Sequence, residues 1–539
     1  MGVAQLSKRV RRELAYLSYP SREWVIPRHR DGTRVLDVLI VGGGQGGLAI
    51  AFGLMLERIT NFRIVDRNPR GFEGPWRRFG RMTELRTSKG VTGIDLGIPS
   101  LTCRCWYEAK FGHRAWEAID AIPPDTWQDY LDWYRDVLEV PVENEVEVIS
   151  IEPAGDLLLA HLRRRDRVEH VHARKIVLAT GIDGNGKWRA PKTLLADLPA
   201  ERYAHSADDI DFSRLVGKRV GVLGVGPSAL DNAAAALEAG AARVDLCLRR
   251  ADIPRVNPLA WTNFSGMLGH FGALTDLERW RFMRHILEEL PAPPPQDSFW
   301  RCRRFQNFAW HTNCPWRCVR DVGNAAVVET EAGTFTFDFI IFATGFETDL
   351  SACSELAHLV NQIALWRDRF TPPCGEESDL LAAFPYLGAA FEFTERTPGT
   401  APYLARLHNF TFGATLSLGV TGAAITGIKY GVSRLVNGLV RDLFREDAPA
   451  HYRNLLAYAE PELETLESPS AWIDRLAVEA LSARNLLTDL NRAALAKAPR
   501  CESASQNSSN QWPRRTGAKR ASRAKRRSSR QSKRQPAAR

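Results

Sequence analysis

Two apolar segments of this chain each lead directly into a glycine-rich turn and then into a helix-like segment. The apolar segments are residues 35–41 and 219–223, and the helix-like segments are residues 48–58 and 230–239. Short apolar runs that are bounded by turn residues are typical of buried strands. The pattern therefore predicts an α/β fold with two strand–turn–helix units, about 180 residues apart.

Both glycine turns have the spacing that a bound pyrophosphate requires. Glycine permits a tight turn and lets the backbone approach the phosphates, which then bind free N–H groups at the N-terminus of the following helix. A single such turn is weak evidence, because a glycine turn can also serve only to pack a helix on a strand. Two turns in the same context favour two Rossmann-like domains that each hold a dinucleotide. The residues assigned to phosphate binding are Gly42, Gly44 and Gly47 in the first turn and Gly224, Gly226 and Ser228 in the second.

The residues about 20 positions after each turn indicate which dinucleotide binds there. The strand after the first turn ends in Asp66, whose carboxylate suits the two hydroxyls of an unphosphorylated ribose, as in FAD or NAD. The strand after the second turn ends in Arg249 and Arg250, with no acid in that place. Guanidinium groups bind a 2′-phosphate that a carboxylate would repel. The second turn therefore favours NADP(H), although surface charge is the alternative for the two arginines.

Two similar apolar segments frame the second unit. Residues 175–181 and 338–346 both contain a buried-strand pattern that leads into Ala-Thr-Gly. Because the second turn lies between them, the order predicts a first dinucleotide-binding domain that is interrupted by a second one, after which the chain completes the first sheet. This nested layout resembles that of flavoproteins in which the outer domain holds FAD and the inserted domain holds NADPH. The predicted divisions are an N-terminal extension (1–34), the first segment of the FAD domain (35–215), the NADP domain (216–330), the second segment of the FAD domain (331–445), C-terminal helices (446–500) and a disordered basic tail (501–539).

The net charge of +9 arises in the C-terminal tail. Residues 514–539 contain 12 Lys/Arg and no acid, so the other 513 residues carry a charge of −3. A segment of this composition is predicted to be disordered. Contact with nucleic acid or an anionic surface through the tail is one hypothesis, and a solvated appendage is the other.

The remaining composition favours a cytoplasmic enzyme. The N-terminus lacks the apolar core of a signal peptide. Residues 409–428 carry no charge but are rich in Gly and Thr, so we predict buried backbone near a cofactor rather than a membrane span. The nine cysteines form neither a disulfide framework nor a matched pair of metal-binding motifs, so no metal site is expected.

The nested order and several motifs resemble the class B flavoprotein monooxygenases, which include flavin-containing monooxygenases, Baeyer–Villiger enzymes and N-hydroxylating lysine and ornithine monooxygenases. Residues 338–346 are similar to the Asp-x3-Phe-Ala-Thr-Gly-Tyr signature of the N-hydroxylating branch, with Phe346 for Tyr. Residues 122–133 are similar to another segment of that branch. His205 and Ser206 resemble a linker motif of the flavin-containing monooxygenases. The match covers roughly residues 35–445.

The chain also departs from the family patterns. Pro199 and Glu201 stand where the Baeyer–Villiger linker motif would have Phe and Gly. Ser88 and Lys89 stand where flavin-containing monooxygenases place an Asn against the flavin. Disulfide reductases share the nested order, but they need a Cys-x-x-Cys pair that this chain lacks.

The resemblance implies a monooxygenase that binds FAD and NADP(H) and acts on a small molecule and O2. Hydride would pass from NADPH to FAD, and a C4a-peroxyflavin would transfer one oxygen atom, most naturally to nitrogen or another heteroatom. Trp76 stands where the family packs an aromatic residue near the flavin, with an ordinary core tryptophan as the alternative.

Three other functions stay open from sequence. The first is a Baeyer–Villiger or heteroaromatic-ring hydroxylating monooxygenase. The second is an NADPH-dependent flavin oxidase or reductase that oxygenates nothing. The third is a nucleotide-sensing binding protein whose basic tail contacts nucleic acid.

Overall fold

The structure is a computed structural model that describes residues 2–91, 93–188, 190–195, 197–290, 292–463 and 468–496. The chain divides into two compact units, Met1–Ala457 and Tyr458–Arg539. Both glycine turns lie in the first unit. The described residues of the second unit contain one long helix. The whole of the predicted basic tail, residues 501–539, lies outside the described residues.

Nineteen strands are present among the described residues. Their bounds are β1 His29–Arg30, β2 Thr33–Arg34, β3 Leu36–Val41, β4 Phe62–Asp66, β5 Val142–Asn144, β6 Glu147–Ala154, β7 Leu157–Arg164, β8 Arg167–Gly181, β9 Gly186–Trp188, β10 Tyr203–His205, β11 Arg219–Leu223, β12 Arg243–Cys247, β13 Phe308–His311, β14 Trp316–Asp321, β15 Ala326–Thr330, β16 Gly333–Phe337, β17 Phe339–Phe342, β18 Phe346–Thr348 and β19 Leu407–Thr411.

Fifteen α-helices are present in the same described stretches of the chain. Their bounds are α1 Val3–Tyr16, α2 Gln45–Leu56, α3 Cys103–Phe111, α4 His113–Glu117, α5 Pro124–Val137, α6 Lys192–Leu195, α7 Pro227–Glu238, α8 Pro258–Trp261, α9 Ser265–His270, α10 Asp276–Arg284, α11 Gln296–Arg303, α12 Asp379–Ala382, α13 Thr415–Leu418, α14 Ile428–Leu456 and α15 Pro469–Ala496.

The first sheet has seven strands. Its order is β5-β4-β3-β8-β7-β6, and β19 pairs with β8. The pairs among β5, β4, β3, β8 and β19 are parallel, whereas β7 pairs antiparallel with both β6 and β8. Strand β3 is almost fully buried, as its continuous apolar sequence predicts for a central parallel strand.

The second sheet is built from the middle of the chain. Its order is β10-β17-β11-β12-β13, and every pair in it is parallel. Strands β14, β15 and β16 form a separate antiparallel sheet. Helix α7 follows β11 directly, as α2 follows β3 in the first sheet. The predicted α/β fold is confirmed, with one fully parallel sheet and one sheet that is parallel except for the pairs made by β7.

The two Ala-Thr-Gly segments belong to different sheets. Strand β8 is central in the first sheet, but β17 pairs with β10 and β11 in the second. The prediction that the chain returns to the first sheet from residue 331 is therefore wrong for β16 and β17. Strand β10 also lies in the second sheet, whereas the sequence predicts that residues 35–215 belong to the first domain. The chain returns later, through β19. Local sequence could not separate these strands, because both are short apolar runs that end in the same turn.

The N-terminal extension and helix α14 are joined to the first sheet by buried charges. Arg174 on β8 is fully buried and donates to Asp447 at 2.9 Å, to Glu446 at 3.1 Å and to Asp37 at 3.3 Å. Arg28 from the extension also donates to Asp447, at 3.1 Å. Burial alone would raise the pKa of Asp447, but the hydrogen bonds and charge of Arg174 outweigh it and lower that pKa.

The uncharged segment 409–428 is not a helix. It contains the end of β19, the short helix α13 and a turn that leads into α14. Among the described residues, no helix has the length and apolarity to cross a membrane.

Removing Arg174 is expected to destabilise the first unit strongly. Arg174→Met would leave Asp37 and Asp447 buried without their shared cation, which costs about 3–5 kcal/mol. Urea denaturation followed by tryptophan fluorescence measures the free energy of unfolding. Arg281→Gln, which breaks an exposed ion pair with Glu376, is the control and should stay close to wild type. Equal stability of the two variants would contradict the prediction.

Candidate active site: a cavity beside the first glycine turn

The first glycine turn brings three backbone segments into direct contact. Gly42 has φ +110°, and a Cβ on it would lie 2.5 Å from the carbonyl oxygen of Ala179 on β8. A Cβ on Gly47 would lie 1.9 Å from the carbonyl oxygen of Gly42. No side chain fits at either position, so helix α2 starts directly above the ends of β3 and β8.

The N-terminus of α2 is available to a ligand. Gly44 is the N-cap residue, and no side chain caps the helix. The N–H groups in the first turn of a helix have no partner within the helix. The N–H of Gly42 donates to Val65 and that of Gly43 to Asp66, both at 2.8 Å. These two bonds fix the turn, while the following N–H groups at the start of α2 are set to receive an anion.

A cavity of about 560 Å³ opens at this helix end. Several separate segments contribute to its wall: the first glycine turn, the end of β4, the loop 73–79, the end of β8 and the turn 422–424. The lining residues used below are Gly42, Gly44, Gln45, Asp66, Arg67, Glu73, Trp76, Arg78, Phe79, Asp183, Trp188 and Phe412.

Asp66 stands at the end of β4 and is almost fully buried. Burial raises its pKa, and hydrogen bonds from the N–H groups of Asn68 and Gly43 oppose that rise. One oxygen bonds to Gly43 and the other to Asn68, so the carboxylate is fixed beside the turn. It lines the cavity with lone pairs to spare, because a carboxylate accepts about four hydrogen bonds. This placement suits a ribose.

Glu73 supports the same side of the cavity. Its carboxylate accepts from the N–H of Gly71 at 2.8 Å, from Asn144 at 2.9 Å and from Arg135 at 3.1 Å. The loop that carries Trp76 is thereby held against the end of β5. On the other side of the cavity, Gln45 connects α5 to the turn 422–424. It accepts a hydrogen bond from the indole of Trp127 at 3.3 Å and donates one to the carbonyl of Ala423 at 3.2 Å.

One end of the cavity is aromatic. Trp188 lies with its ring centroid 5.8 Å from Phe79 and 5.4 Å from Phe346, and both contacts are edge-to-face. Phe346 in turn contacts Phe412 at 6.1 Å. Trp76 lines the same cavity and packs on Trp127. Flat apolar walls of this kind suit planar rings and exclude water.

Two arginines are among the described lining residues of the cavity. The Arg67 guanidinium lies 3.8 Å from the Asp183 carboxylate. Burial raises the pKa of Asp183, and the charges of Arg67 and Arg78 oppose that rise. Arg78 lies over the Phe79 ring at 5.7 Å and has no carboxylate of a described residue within 4.0 Å. Arg78 therefore brings a positive charge near the aromatic end that no described carboxylate pairs with directly.

The second glycine turn repeats several features of the first. Gly224 has φ +140°, and a Cβ on it would lie 2.3 Å from the carbonyl of Ala343. Gly226 is the N-cap of α7, and nothing lies within 4 Å of a Cβ built there. The helix start is therefore open to an approaching ligand. Ser228 is exposed in the first turn of α7.

Arg249 and Arg250 come one residue after the end of β12 and are exposed. Strands β11 and β12 are neighbours in register, with Leu223 beside Cys247. The arginines and the second glycine turn therefore lie at the same edge of the second sheet.

Asp338 and His205, which carry the family resemblance, and Lys89, which departs from it, each make defined contacts. Asp338 accepts from the backbone and guanidinium of Arg219, at 2.8 and 2.7 Å, and fixes the start of β11. Lys89 donates to the carbonyls of Trp116 and Ile119. His205 packs on Trp188 at 5.3 Å, and burial lowers its pKa.

Sequence reasoning missed most of the aromatic end. Phe79, Trp188 and Phe412 come from three distant segments, and nothing in their local sequence places them together. Arg78 was missed as well, although it follows Trp76 by only two positions. Gln45 is the lining residue that the sequence could most easily have indicated, because it is the polar residue inside the first glycine turn.

Comparison with known proteins gives two kinds of match. The family model described as pyridine nucleotide-disulphide oxidoreductase matches residues 39–263. An FAD-dependent urate hydroxylase of Xanthomonas campestris pv. campestris is 42% identical over 464 residues, which is 86% of this chain and 97% of that protein.

Solved structures share the fold at lower identity. The reduced ornithine hydroxylase of Pseudomonas aeruginosa aligns with a TM-score of 0.59 and 14% identity, over 76% of this chain and 100% of that chain. An ornithine N-hydroxylase of Kutzneria sp. 744, solved with reduced FAD, NADP+ and L-ornithine, aligns with a TM-score of 0.58 and 15% identity, over 76% and 99% of the two chains. At these identities the structures show the fold alone.

The urate hydroxylase is similar along almost its whole length, and the fold is that of N-hydroxylating flavoenzymes. The resemblance to class B flavoprotein monooxygenases is confirmed. The chain belongs to the flavin-dependent monooxygenase family that contains this urate hydroxylase.

Proposed function

We propose that this protein is an NADPH-dependent FAD monooxygenase that hydroxylates urate. The observation that carries the proposal is the 42% identity to an FAD-dependent urate hydroxylase over 97% of that protein. In the proposed reaction, urate, O2, NADPH and a proton give hydroxylated urate, NADP+ and water. The heteroaromatic-ring alternative thus ranks ahead of oxygen transfer to an amine.

The first glycine turn and its cavity fit FAD. The uncapped N-terminus of α2 presents N–H groups to a pyrophosphate, and Asp66 is fixed where it would accept hydrogen bonds from the hydroxyls of a ribose. Gly44 has no side chain, and a Cβ there would lie 3.3 Å from the carbonyl oxygen of Glu73. When it is bound there, FAD supplies the redox chemistry and the activation of O2. The protein's own role is to orient the reactants and to exclude water.

The aromatic end of the cavity fits a purine anion. Urate is planar and negatively charged at neutral pH, so flat aromatic walls and a nearby cation match both of its properties. Phe79 and Trp188 supply the walls, and Arg78 supplies the charge. A guanidinium in a site with restricted water can hold the ring in one orientation through paired hydrogen bonds.

The second turn fits NADPH. The open N-terminus of α7 suits the pyrophosphate, and Arg249 and Arg250 at the same sheet edge suit the 2′-phosphate. These assignments of individual residues belong to the proposal.

Purified protein is expected to contain tightly bound FAD, and Gly47→Ala should abolish it. The added Cβ would lie 1.9 Å from the Gly42 carbonyl, so α2 must move away from the cavity. Flavin content is measured as the ratio of absorbance at the flavin and protein bands. Gly226→Ala is the matched control, because its Cβ meets nothing within 4 Å. A normal flavin content in Gly47→Ala would contradict the proposed site.

Urate is expected to be hydroxylated with one atom from O2 per NADPH consumed. Mass spectrometry of the product made under labelled O2 measures the incorporation. Arg78→Gln should raise the KM for urate about tenfold or more, since losing hydrogen bonds to a charged group costs about 1.5–3 kcal/mol. Its flavin content should match wild type, and Arg281→Gln serves as the surface control.

Two results would contradict this prediction. Stoichiometric H2O2 with no labelled product from urate would favour the oxidase alternative. Labelled product from an amine but none from urate would restore the heteroatom hypothesis and remove the role proposed for Arg78.

NADPH should reduce the enzyme at least tenfold more efficiently than NADH. Replacing Arg249 and Arg250 together with Ala should remove this preference by weakening NADPH alone, because NADH has no 2′-phosphate. The measurement is kcat/KM for each coenzyme. Equal use of both coenzymes by wild type would count against the assignment.

A further inference from the structure

One short segment connects the cavity to the second sheet. Residues 79–89 begin at the aromatic end, where Phe79 lines the cavity. From there the segment runs across the helices that cover the second sheet. We call residues 79–89 the bridge segment. Its side chains and carbonyls contact α7, α11 and the turn after β10.

Arg81 and Thr83 attach the first half of the bridge segment. Arg81 donates to the carbonyls of Ser206 at 2.7 Å and of Asp208 at 2.5 Å, and burial lowers its pKa. Thr83 donates to Asp297 on α11 at 2.5 Å.

Asp231 on α7 attaches the second half. Its carboxylate is almost fully buried, accepts from Ser298 of α11 at 2.5 Å and accepts from Arg86 of the bridge segment at 3.0 Å. The guanidinium of Arg301 lies 3.8 Å away and donates to the Arg81 carbonyl at 3.1 Å. Asp231 thus joins α7, α11 and the bridge segment at one point.

Asp231 lies close to the N-terminus of α7, where the second glycine turn ends. Helix α7 begins at Pro227, directly after the second glycine turn, and Asp231 lies about one turn further on. The proposed NADPH site is therefore one helical turn from the carboxylate that holds the bridge segment. The other end of the same segment contributes to the cavity wall.

We propose that the ion pair between Asp231 and Arg86 positions the two dinucleotide sites for hydride transfer. In that step a hydride would pass from NADPH to FAD, which would leave NADP+ and a flavin reduced by two electrons. Transfer requires the donor and acceptor carbons to meet closely, and a misplacement of about 1 Å can cost up to 10²-fold in rate. Asp231 and Arg86 are positioning residues, since they act through the placement of α7.

The inference rests on the proposed function only for the reduction of bound FAD by NADPH. Anaerobic stopped-flow measures that half-reaction without urate or O2. A wild-type enzyme that NADPH does not reduce would contradict the proposed function, whereas normal reduction in all variants would overturn the inference alone.

The variants are Arg86→Gln, Arg86→Lys, Asp231→Asn and the double variant Arg86→Gln with Asp231→Asn. Both single neutral variants should lower the limiting reduction rate about tenfold and change the Kd for NADPH less than twofold. Arg86→Lys should recover most of the rate. The double variant should be no slower than either single variant, because residues that act as one pair are not additive.

A structural readout separates positioning from a direct role in chemistry. Hydrogen–deuterium exchange of the bridge segment in the FAD-bound enzyme should be faster in Arg86→Gln and in Asp231→Asn than in wild type. NADP+ should slow that exchange in wild type and in the control Arg281→Gln, and it should do so less in the two neutral variants.

Three further results would overturn the inference. The first is a slow Arg86→Gln beside a normal Asp231→Asn, because Arg86 would then act without its partner. The second is additive loss in the double variant. The third is unchanged exchange of the bridge segment in both single variants.

Discussion

The contact between Gly47 and the Gly42 carbonyl is the constraint on which the candidate site depends. A Cβ on Gly47 would lie 1.9 Å from the carbonyl oxygen of Gly42. Helix α2 can therefore start where it does only because residue 47 has no side chain. Gly42 meets Ala179 of β8 in the same way, and the strand, the turn and the neighbouring strand close on one another. The exposed N–H groups of α2 are thereby directed into the cavity and not over the sheet.

The two glycine turns have a similar shape but differ in how much space surrounds their later glycines. Gly224 is as constrained as Gly42, because each packs on the Ala of an Ala-Thr-Gly turn. The first N–H of each turn also donates to a residue on the adjacent strand, Val65 in one case and Cys247 in the other. Gly226, in contrast, has open space around it. The second turn therefore keeps its shape through one glycine and leaves the helix start open for a ligand.

Local sequence predicts individual strands and turns, whereas contacts between distant segments determine which sheet each strand joins. The strands β3, β4, β11 and β12 and both glycine turns follow from apolar runs and glycine spacing, which are local signals. The sheet that receives β17 is decided by its neighbours across more than 100 residues of chain, and its own sequence resembles that of β8. Asp66 is visible in the sequence as the acid that ends β4, but its bond to Gly43 depends on the register of β3 and β4.

Trp188, at the aromatic end of the cavity, lies on a two-stranded ribbon that connects the two sheets. Strand β9 follows β8 of the first sheet, β18 follows β17 of the second, and the two pair antiparallel with Trp188 beside Phe346. A Cβ on Gly186 would lie 1.9 Å from the Glu347 carbonyl, so the ribbon is tightly closed. Because Trp188 also contacts Phe79 at the start of the bridge segment, the aromatic end of the cavity, the ribbon and the bridge segment share side chains. A change in the relative position of the sheets must therefore also move the walls against which a planar substrate would bind.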